Sequence, residues 1–560
     1  MAQEPIRART VPRAQEKRAT REPAGVDQHG GAPGANVTSR WPLLLVMAVM
    51  ATAQVWLALH QSLWPDETFS LAMATGHSVE HPAREARPEL GDFVEQVTPV
   101  PASEIRRYGE HGDPSASFGQ VLRAVKLSDT SPPLYYLLLS AWTRVFGTSD
   151  LGLRSLSIVM SLACVPLLWS IGYRLAGGLA ALTGVALFAI APASLYYSSE
   201  GRMYSMLWLC VVAVMWSTLE LNRSRSWRAA VVWVVASAAG LLTHYYFVFP
   251  WCASFAFLAV RPGEDRRWHL LIRSAIVLLL AAPWYSQLPE VLSRWRVTHD
   301  WVTYKADSYT LVRVFRDSVT QYFSGNGHNL WARHHRCDIL ALLIFVVAGI
   351  ALFWRLRGRI FSGGWLLVWL WFLAAAVAPI VADLVRHTYI ADNPRYSSAA
   401  LPAACLLGGW MFASLRSKGC GIALVAVAAC WSFDVWSIAK LHGRNGADVR
   451  DAARELSAVA GSEDVVLIHS IPTGAMNFAR YFSSPAGMAV WVGQLGQRKV
   501  PESLMPLIQS RRRVFLVSFH TVGEPAPEED WLRANSLAQK TRSRGTVHVT
   551  EYRPRDGASF

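Results

Sequence analysis

Eleven long apolar runs constrain this chain more than any other feature of its sequence. A helix needs about 20 mainly apolar residues to cross a hydrocarbon core of roughly 30 Å. Runs of that kind lie near 41–60, 153–173, 177–196, 203–221, 229–244, 246–260, 270–288, 337–354, 363–382, 397–415 and 420–440. The fifth and sixth are nearly fused around Thr243, His244, Tyr245 and Tyr246, which predicts a very short hairpin at one membrane face. With 52% hydrophobic residues over 560 positions, the expected fold class is an α-helical polytopic membrane protein.

Charge placement gives the orientation. The chain holds 54 Lys and Arg against 40 Asp and Glu, a net +14. That excess sits in alternate connections: Arg40, Arg174, Arg223 with Arg225 and Arg228, Arg261 with Arg266 and Arg267, Arg355 with Arg357 and Arg359, and Arg416 with Lys418. Basic short loops stay on the cytoplasmic side. The expectation is therefore a multi-pass protein of the bacterial cytoplasmic membrane, N-terminus inside and C-terminal segment periplasmic or extracellular. So distributed, the charge argues for membrane lipids as partners and against nucleic acid. Seven cysteines make no disulfide framework, and most of them sit inside apolar runs as small buried hydrophobes.

Three domains are expected. Residues 1–40 mix Arg, Ala, Gly, Pro and Thr without periodicity and read as a disordered basic cytoplasmic tail. Residues 41–440 form the transmembrane domain, with 61–152 a first outer loop carrying juxtamembrane helices. Within it, Gln61 to Ser131 holds eleven Asp and Glu against six Lys and Arg, an acidic exception in a basic chain. The stretch opening at Leu134 is short and amphipathic, as an interfacial helix would be. The aromatic loop from about 289 to 336 is also expected at the interface. Residues 441–560 read as a soluble α/β unit. Helical patterns lie at 447–460, 474–482 and 528–538, strand patterns at 465–469 and 514–519, and an alternating edge strand at 546–552. No GxGxxG or Walker sequence occurs there, so nucleotide binding has no support.

Four polar clusters fall at the outer ends of the runs. The first is Trp64-Pro65-Asp66-Glu67, two adjacent carboxylates just past the first run, which equally suit a helix N-terminus. The second is Ser128-Asp129-Thr130-Ser131-Pro132-Pro133-Leu134-Tyr135-Tyr136, where Asp129 also reads as an ordinary turn residue. The third is Tyr196-Tyr197-Ser198-Ser199-Glu200-Gly201-Arg202-Met203-Tyr204, in which Glu200 and Arg202 either reach water, pair together or bind an anionic headgroup. The fourth runs from Arg386 to Arg395 and Tyr396. An arginine fork binds two phosphate oxygens at once.

The order of DE after the first run, D-x-x-P-P-L-Y-Y before the second, Y-Y-S-x-E-x-R-M-Y between the third and fourth, T-H-Y-Y, and P-R-Y before a late run resembles the bacterial glycosyltransferase family 39 proteins. That group includes the aminoarabinose transferases of lipid A and, more distantly, the protein O-mannosyltransferases. The resemblance covers roughly residues 41–415. It implies a GT-C fold with a site at the outer membrane face and a polyprenyl-phosphate sugar as donor. It further implies that Asp66 occupies the catalytic acidic position, with Glu67 its neighbour. The family often has His where this chain has Ser131.

On this basis the expected activity is sugar transfer to a hydroxyl of a cell-envelope lipid, glycan or protein, by inverting single displacement. Asp66 is the expected base and Glu67 the second catalytic candidate. Asp129, Tyr197, Glu200, Arg202, Tyr204, His244, Tyr245, Arg395 and Tyr396 are the expected substrate-binding residues. No His and Cys cluster has metal-ligand spacing, so no cofactor is expected and divalent-metal dependence stays open. The alternatives are a transporter or lipid flippase without glycosyl transfer, disfavoured because the charged clusters gather at one face and no repeat is visible, and a scaffold anchored by its spans.

Overall fold

The computed structural model describes residues 41–81, 83–129, 131–261, 263, 267–294, 310–325, 335–440, 443, 447–496, 498–521, 526–538, 541–555 and 560. The expected tail over 1–40 and much of the 289–336 loop lie outside them.

All eleven apolar runs contain helix, yet among the described residues seven helices are long and apolar enough to cross a membrane: Trp41–His60, Asp150–Ile190, Tyr204–Arg223, Arg267–Ser293, Arg336–Arg355, Trp365–Arg386 and Arg416–Lys440. Asp150–Ile190 holds two of the expected runs. Gly177, at φ 83°, lets the chain double back, so that a Cβ on Gly172 would lie 2.9 Å from the Ala181 Cα. Three runs make shorter helices: Trp227–Leu241 with 15 residues, and Val248–Val260 and Leu401–Ala413 with 13 each. At 1.5 Å per residue these rise only about 20 Å. The polar hairpin at Thr243–His244 and a 3₁₀ stretch, Pro394–Ala400, take up the rest of their runs.

The helices pack tightly where small residues face each other. Leu401–Ala413 lies along the second half of Asp150–Ile190, and a Cβ on Gly409 would meet the Ala180 carbonyl oxygen at 2.5 Å. Backbones approach this closely only where the side chains are small. The seven cysteines are all free.

The two ends of the bundle differ. At one end the basic connections tie to each other: Arg174 pairs with Glu220, Arg225 with His269 at 3.4 Å, and Arg355 donates to the Ser414 carbonyl at 2.9 Å. The opposite end carries the first loop and the α/β unit. Leu134–Phe146, 13 residues long, is an amphipathic helix outside the spanning set.

The α/β unit is a six-stranded mixed sheet: β1 Asp464–His469, β2 Gly487–Trp491, β3 Arg513–Ser518, β4 Ser536–Ala538, β5 Arg542–Arg544 and β6 Val547–Pro554. The order is β2-β1-β3-β6-β4, with β5 also on β6. β1 is parallel to β2 and β3, while β6 is antiparallel to β3, β4 and β5. The expected edge strand at 546–552 is therefore interior. Its alternation reflects one covered face, because short β4 and β5 hide its second edge. β2 receives an antiparallel bridge from Val100 of the first loop. The unit and the loop share one apolar cluster, in which Ala72, Phe93, Ile105 and Tyr108 join Phe478, Met488 and Phe519.

Candidate active site

Pro65–Ala74 builds the site. Trp64 is extended and Pro65 supplies the fixed φ of a first helical turn, so Asp66 and Glu67 fall where backbone N–H groups point outward. Adjacent residues on a helix point about 100° apart. The two carboxylates consequently serve different surroundings.

Glu67 faces inward and is fully buried. Arg154, also fully buried, grips it with Nε to Oε1 at 2.7 Å and Nη2 to Oε2 at 2.6 Å. Glu67 also accepts from the Gly201 amide at 2.8 Å and the Trp64 amide at 3.3 Å. Arg154 spends its remaining donors on the carbonyls of Ala58, Gln61 and Ser62. So engaged, Glu67, the second catalytic candidate, ties the turn that carries Asp66 to Arg154 and Gly201.

Asp66 faces the opening, with its side chain one-third exposed. Its Oδ2 accepts from Arg395 Nη1 at 3.0 Å, and no hydrogen bond of its Oδ1 occurs among the described residues. Arg202 Nη1 reaches the Asp66 carbonyl at 3.3 Å, the Ser70 hydroxyl at 2.9 Å and the Tyr136 hydroxyl at 3.5 Å. Tyr136 donates to Asp129 Oδ2 at 2.5 Å, while Asp129 Oδ1 takes the Ser131 amide and closes the turn. Burial and the Asp129 carboxylate hold the Tyr136 hydroxyl well above its ordinary pKa, so it remains a donor. Arg202 is 7% exposed, its Nε is buried without a hydrogen-bond partner, and among the described residues no carboxylate lies within ion-pair distance of it. Glu200, its expected alternative partner, instead accepts from Trp64 Nε1 at 3.0 Å.

Aromatic residues form the rest of the wall. Tyr204 lies between Tyr197, centroids 5.0 Å apart, and His244 at 6.3 Å. Tyr396 sits 6.2 Å from His244 and carries the Arg395 guanidinium 5.1 Å above its ring. Tyr197 is buried behind Tyr204 against Trp208. Tyr245 turns away, its hydroxyl accepting from Trp284 Nε1 at 3.2 Å. The structure thus gathers Asp66, Asp129, Arg202, Tyr204, His244, Arg395 and Tyr396, places Glu67, Tyr197 and Glu200 behind them, and leaves Tyr245 outside. Among the described residues no three His, Cys, Asp or Glu side chains converge to hold a metal ion.

Sequence reasoning named Tyr136 in the second cluster without giving it a role, and missed Arg154 and Ser70 as site residues. An arginine inside an apolar run is the signal that marks Arg154, because such a charge needs a partner. Ser70 carries no signal beyond lying one helical turn after Asp66.

Residues 130–286 match the family profile described as dolichyl-phosphate-mannose-protein mannosyltransferase. Among solved structures, ArnT from Cupriavidus metallidurans in the apo state superposes with a TM-score of 0.58 at 14% identity, covering 93% of this chain and 99% of that one. The same transferase bound to undecaprenyl phosphate gives 0.53 at 14% identity, with the same coverage. The chain has the GT-C glycosyltransferase fold. No curated protein sequence matches it. The family resemblance read from the motifs thus meets a profile match over the second to seventh runs and a fold match over nearly the whole chain, and this GT-C chain is built as a multi-pass membrane protein.

Proposed function

We propose that this protein transfers a sugar from a polyprenyl-phosphate donor to a hydroxyl of a cell-envelope lipid, glycan or protein, at the outer face of the bacterial cytoplasmic membrane. The observation that carries the reading is the buried Arg202 guanidinium, with no carboxylate in ion-pair reach among the described residues, in the same turn as the one-third-exposed Asp66 carboxylate. A buried cation whose nearest carboxylates, Asp66 and Asp129, stand beyond direct pairing is costly, and a phosphate in direct contact would offset that cost. The undecaprenyl phosphate bound to ArnT, and the mannosyltransferase profile over 130–286, support a lipid-phosphate donor.

The reaction is a single displacement. The acceptor oxygen attacks the anomeric carbon, the bond from that carbon to the phosphate oxygen breaks, and the polyprenyl phosphate leaves with its electron pair. The hydroxyl proton passes to Asp66 Oδ1, a general-base contribution of about 10² to 10⁴ in rate. Arg202 and Arg395 stabilise the charge growing on the leaving phosphate. Donor phosphate competes with Asp66 for Arg395, so donor binding would release the carboxylate for its work. Tyr204, His244 and Tyr396 line the sugar's position, with Tyr197 and Glu200 supporting them.

Membranes containing the wild type or Asp66→Asn, supplied with a panel of polyprenyl-phosphate sugars and envelope acceptors, test this by lipid mass spectrometry. Depletion of one donor by the wild type alone supports the reading, and the product mass names the acceptor. No depletion by either protein favours a transporter.

A further inference from the structure

Helix Leu311–Ser324 belongs to the aromatic stretch 289–336, and it grips the segment that carries Arg395 at both of its ends. Near the start of the helix, Arg313 Nη2 lies 2.8 Å from Asp392 Oδ1, and Val314 packs with Ile380 and Ala391. Near its finish, Gln321 Nε2 donates to the Ser397 hydroxyl at 2.8 Å. The Tyr322 hydroxyl stands 2.9 Å from the Ser397 hydroxyl and donates to the Pro394 carbonyl at 3.2 Å. Tyr322, Gln321 and Ser397 are all buried.

Pro394 and Ser397 bracket Arg395 and Tyr396, so one hydroxyl ties down both ends of the turn from which the guanidinium and the ring project. That turn is 3₁₀, whose internal hydrogen bonds have poorer geometry than those of an α-helix. Bonds from outside therefore matter to its shape. Arg395 has two duties: its Nη1 holds Asp66 Oδ2 at 3.0 Å, and in the transferase reading it passes to the donor phosphate. A side chain that exchanges partners over a fixed backbone loses less freedom on binding than one whose backbone must also be ordered. Groups that meet a substrate need such support from the residues behind them.

We propose that Tyr322, acting through Ser397 and the Pro394 carbonyl, is a positioning residue for Arg395 and thereby sets how tightly the site holds the phosphate of a polyprenyl-phosphate donor. The proposal rests on the lipid-phosphate reading of this site. Gln321 serves the same end by fixing the Ser397 hydroxyl that Tyr322 meets. Asp66 and Arg202 approach from other segments and bond none of these three side chains among the described residues, so the effect of Tyr322 reaches the phosphate by way of Arg395.

The test titrates the full-length protein in detergent with undecaprenyl phosphate, reading binding by native mass spectrometry and folding by melting temperature. Wild type, Tyr322→Phe and Ser397→Ala are compared, and the first two again in an Arg395→Ala background. Tyr322→Phe keeps the buried ring and removes only the hydroxyl, and Ser397→Ala removes the group it meets. The expected result is about tenfold weaker binding in each single variant, little change in melting temperature, and no further loss from Tyr322→Phe once Arg395 is Ala. That last reading separates positioning from general support, because groups acting through one another do not add. Unchanged binding in Tyr322→Phe, a loss that persists in full without Arg395, or a loss that tracks melting temperature overturns the proposal. Wild-type binding with Tyr322→Phe unaffected defeats this inference alone, whereas a wild type that does not bind undecaprenyl phosphate defeats the lipid-phosphate reading and this inference with it.

Discussion

Arg395 and Asp66 meet at 3.0 Å although 329 positions separate them in the chain. The contact joins the first outer turn to the 3₁₀ stretch before the helix Leu401–Ala413, and Arg202 approaches the same turn from the Tyr196–Tyr204 connection. Three polar clusters that are far apart in sequence therefore converge on the Asp66 turn, Arg395 on its carboxylate and Arg202 on its backbone carbonyl. On the proposed reading this pairs a base with a phosphate cradle, as displacement of a phosphate by a hydroxyl requires.

Asp66→Asn should lower transfer by about 10² to 10⁴ while leaving folding intact, since the amide fits the partly exposed place of the carboxylate. Near wild-type rates in a well-folded variant would remove Asp66 from the base role.

Arg202→Ala and Arg395→Ala should each raise the donor KM far more than the acceptor KM, by about tenfold or more, the worth of one charge-assisted hydrogen bond. Rate measurements against both substrates check this. Equal losses, or none, would place the phosphate elsewhere.

Glu67→Ala should cost about 3–5 kcal/mol of stability by leaving the buried Arg154 without its carboxylate. Thermal melting and folded yield in detergent read the loss. Replacing both residues by Met should recover much of it, because an apolar pair avoids the uncompensated charge. If Glu67→Ala folds normally and only transfer falls, Glu67 acts on substrate.

His77 predicts a pH dependence in the first loop. Its Nδ1 lies 3.0 Å from the Thr75 hydroxyl and its ring meets Tyr108. Burial, then Arg107 and His111, lower its pKa from 6.5 to about 4, against the opposing Tyr108 backbone and Asp92. The unfolded chain thus binds more protons between about pH 6.5 and 4, and this contribution to stability is lost as pH falls through that window. At pH 5 the loss is about 2 kcal/mol relative to pH 7. Denaturant unfolding at the two pH values measures it, and His77→Asn should flatten the difference.

Legibility in the sequence followed the range of the interactions. Apolar runs mark helices because the bilayer acts on each locally, and the DE, Y-Y-S-x-E-x-R and P-R-Y clusters mark the site because each is a short segment at a run's end. The crossing count was less legible, since Val248–Val260 and Leu401–Ala413 owe their shortness to neighbouring turns that apolar composition does not record. Partner choice was not legible at all. Nothing local says that Glu67 turns inward to Arg154, that Tyr245 turns outward to Trp284, or that Asn477 and Tyr481 reach Leu63 from a separate domain. The strand at 546–552 formed but its edge position did not, for the same reason: alternation reports one covered face, whereas an edge is a property of which strands pair.

Asp150 should govern how firmly the α/β domain sits over the site. It opens the long helix Asp150–Ile190, where its carboxylate takes Arg480 Nε at 2.7 Å, Arg450 Nη2 at 2.9 Å and the Tyr481 hydroxyl at 2.7 Å, all from the domain. It also lines a cavity of about 460 Å³ between the first loop and the domain. Charge-assisted hydrogen bonds are worth about 1.5–3 kcal/mol each, so Asp150→Asn, which weakens two of them together, should raise the population of undocked domain at least tenfold. Limited proteolysis of the intact protein in membranes should then cut the 441–560 region faster by a similar factor, while melting of the helical bundle stays unchanged. Because Leu63 is held by Asn477 and Tyr481 only while the domain is docked, acceptor use should fall and donor KM should hold. Unaltered proteolysis in Asp150→Asn would mean that the shared apolar cluster alone keeps the domain in place.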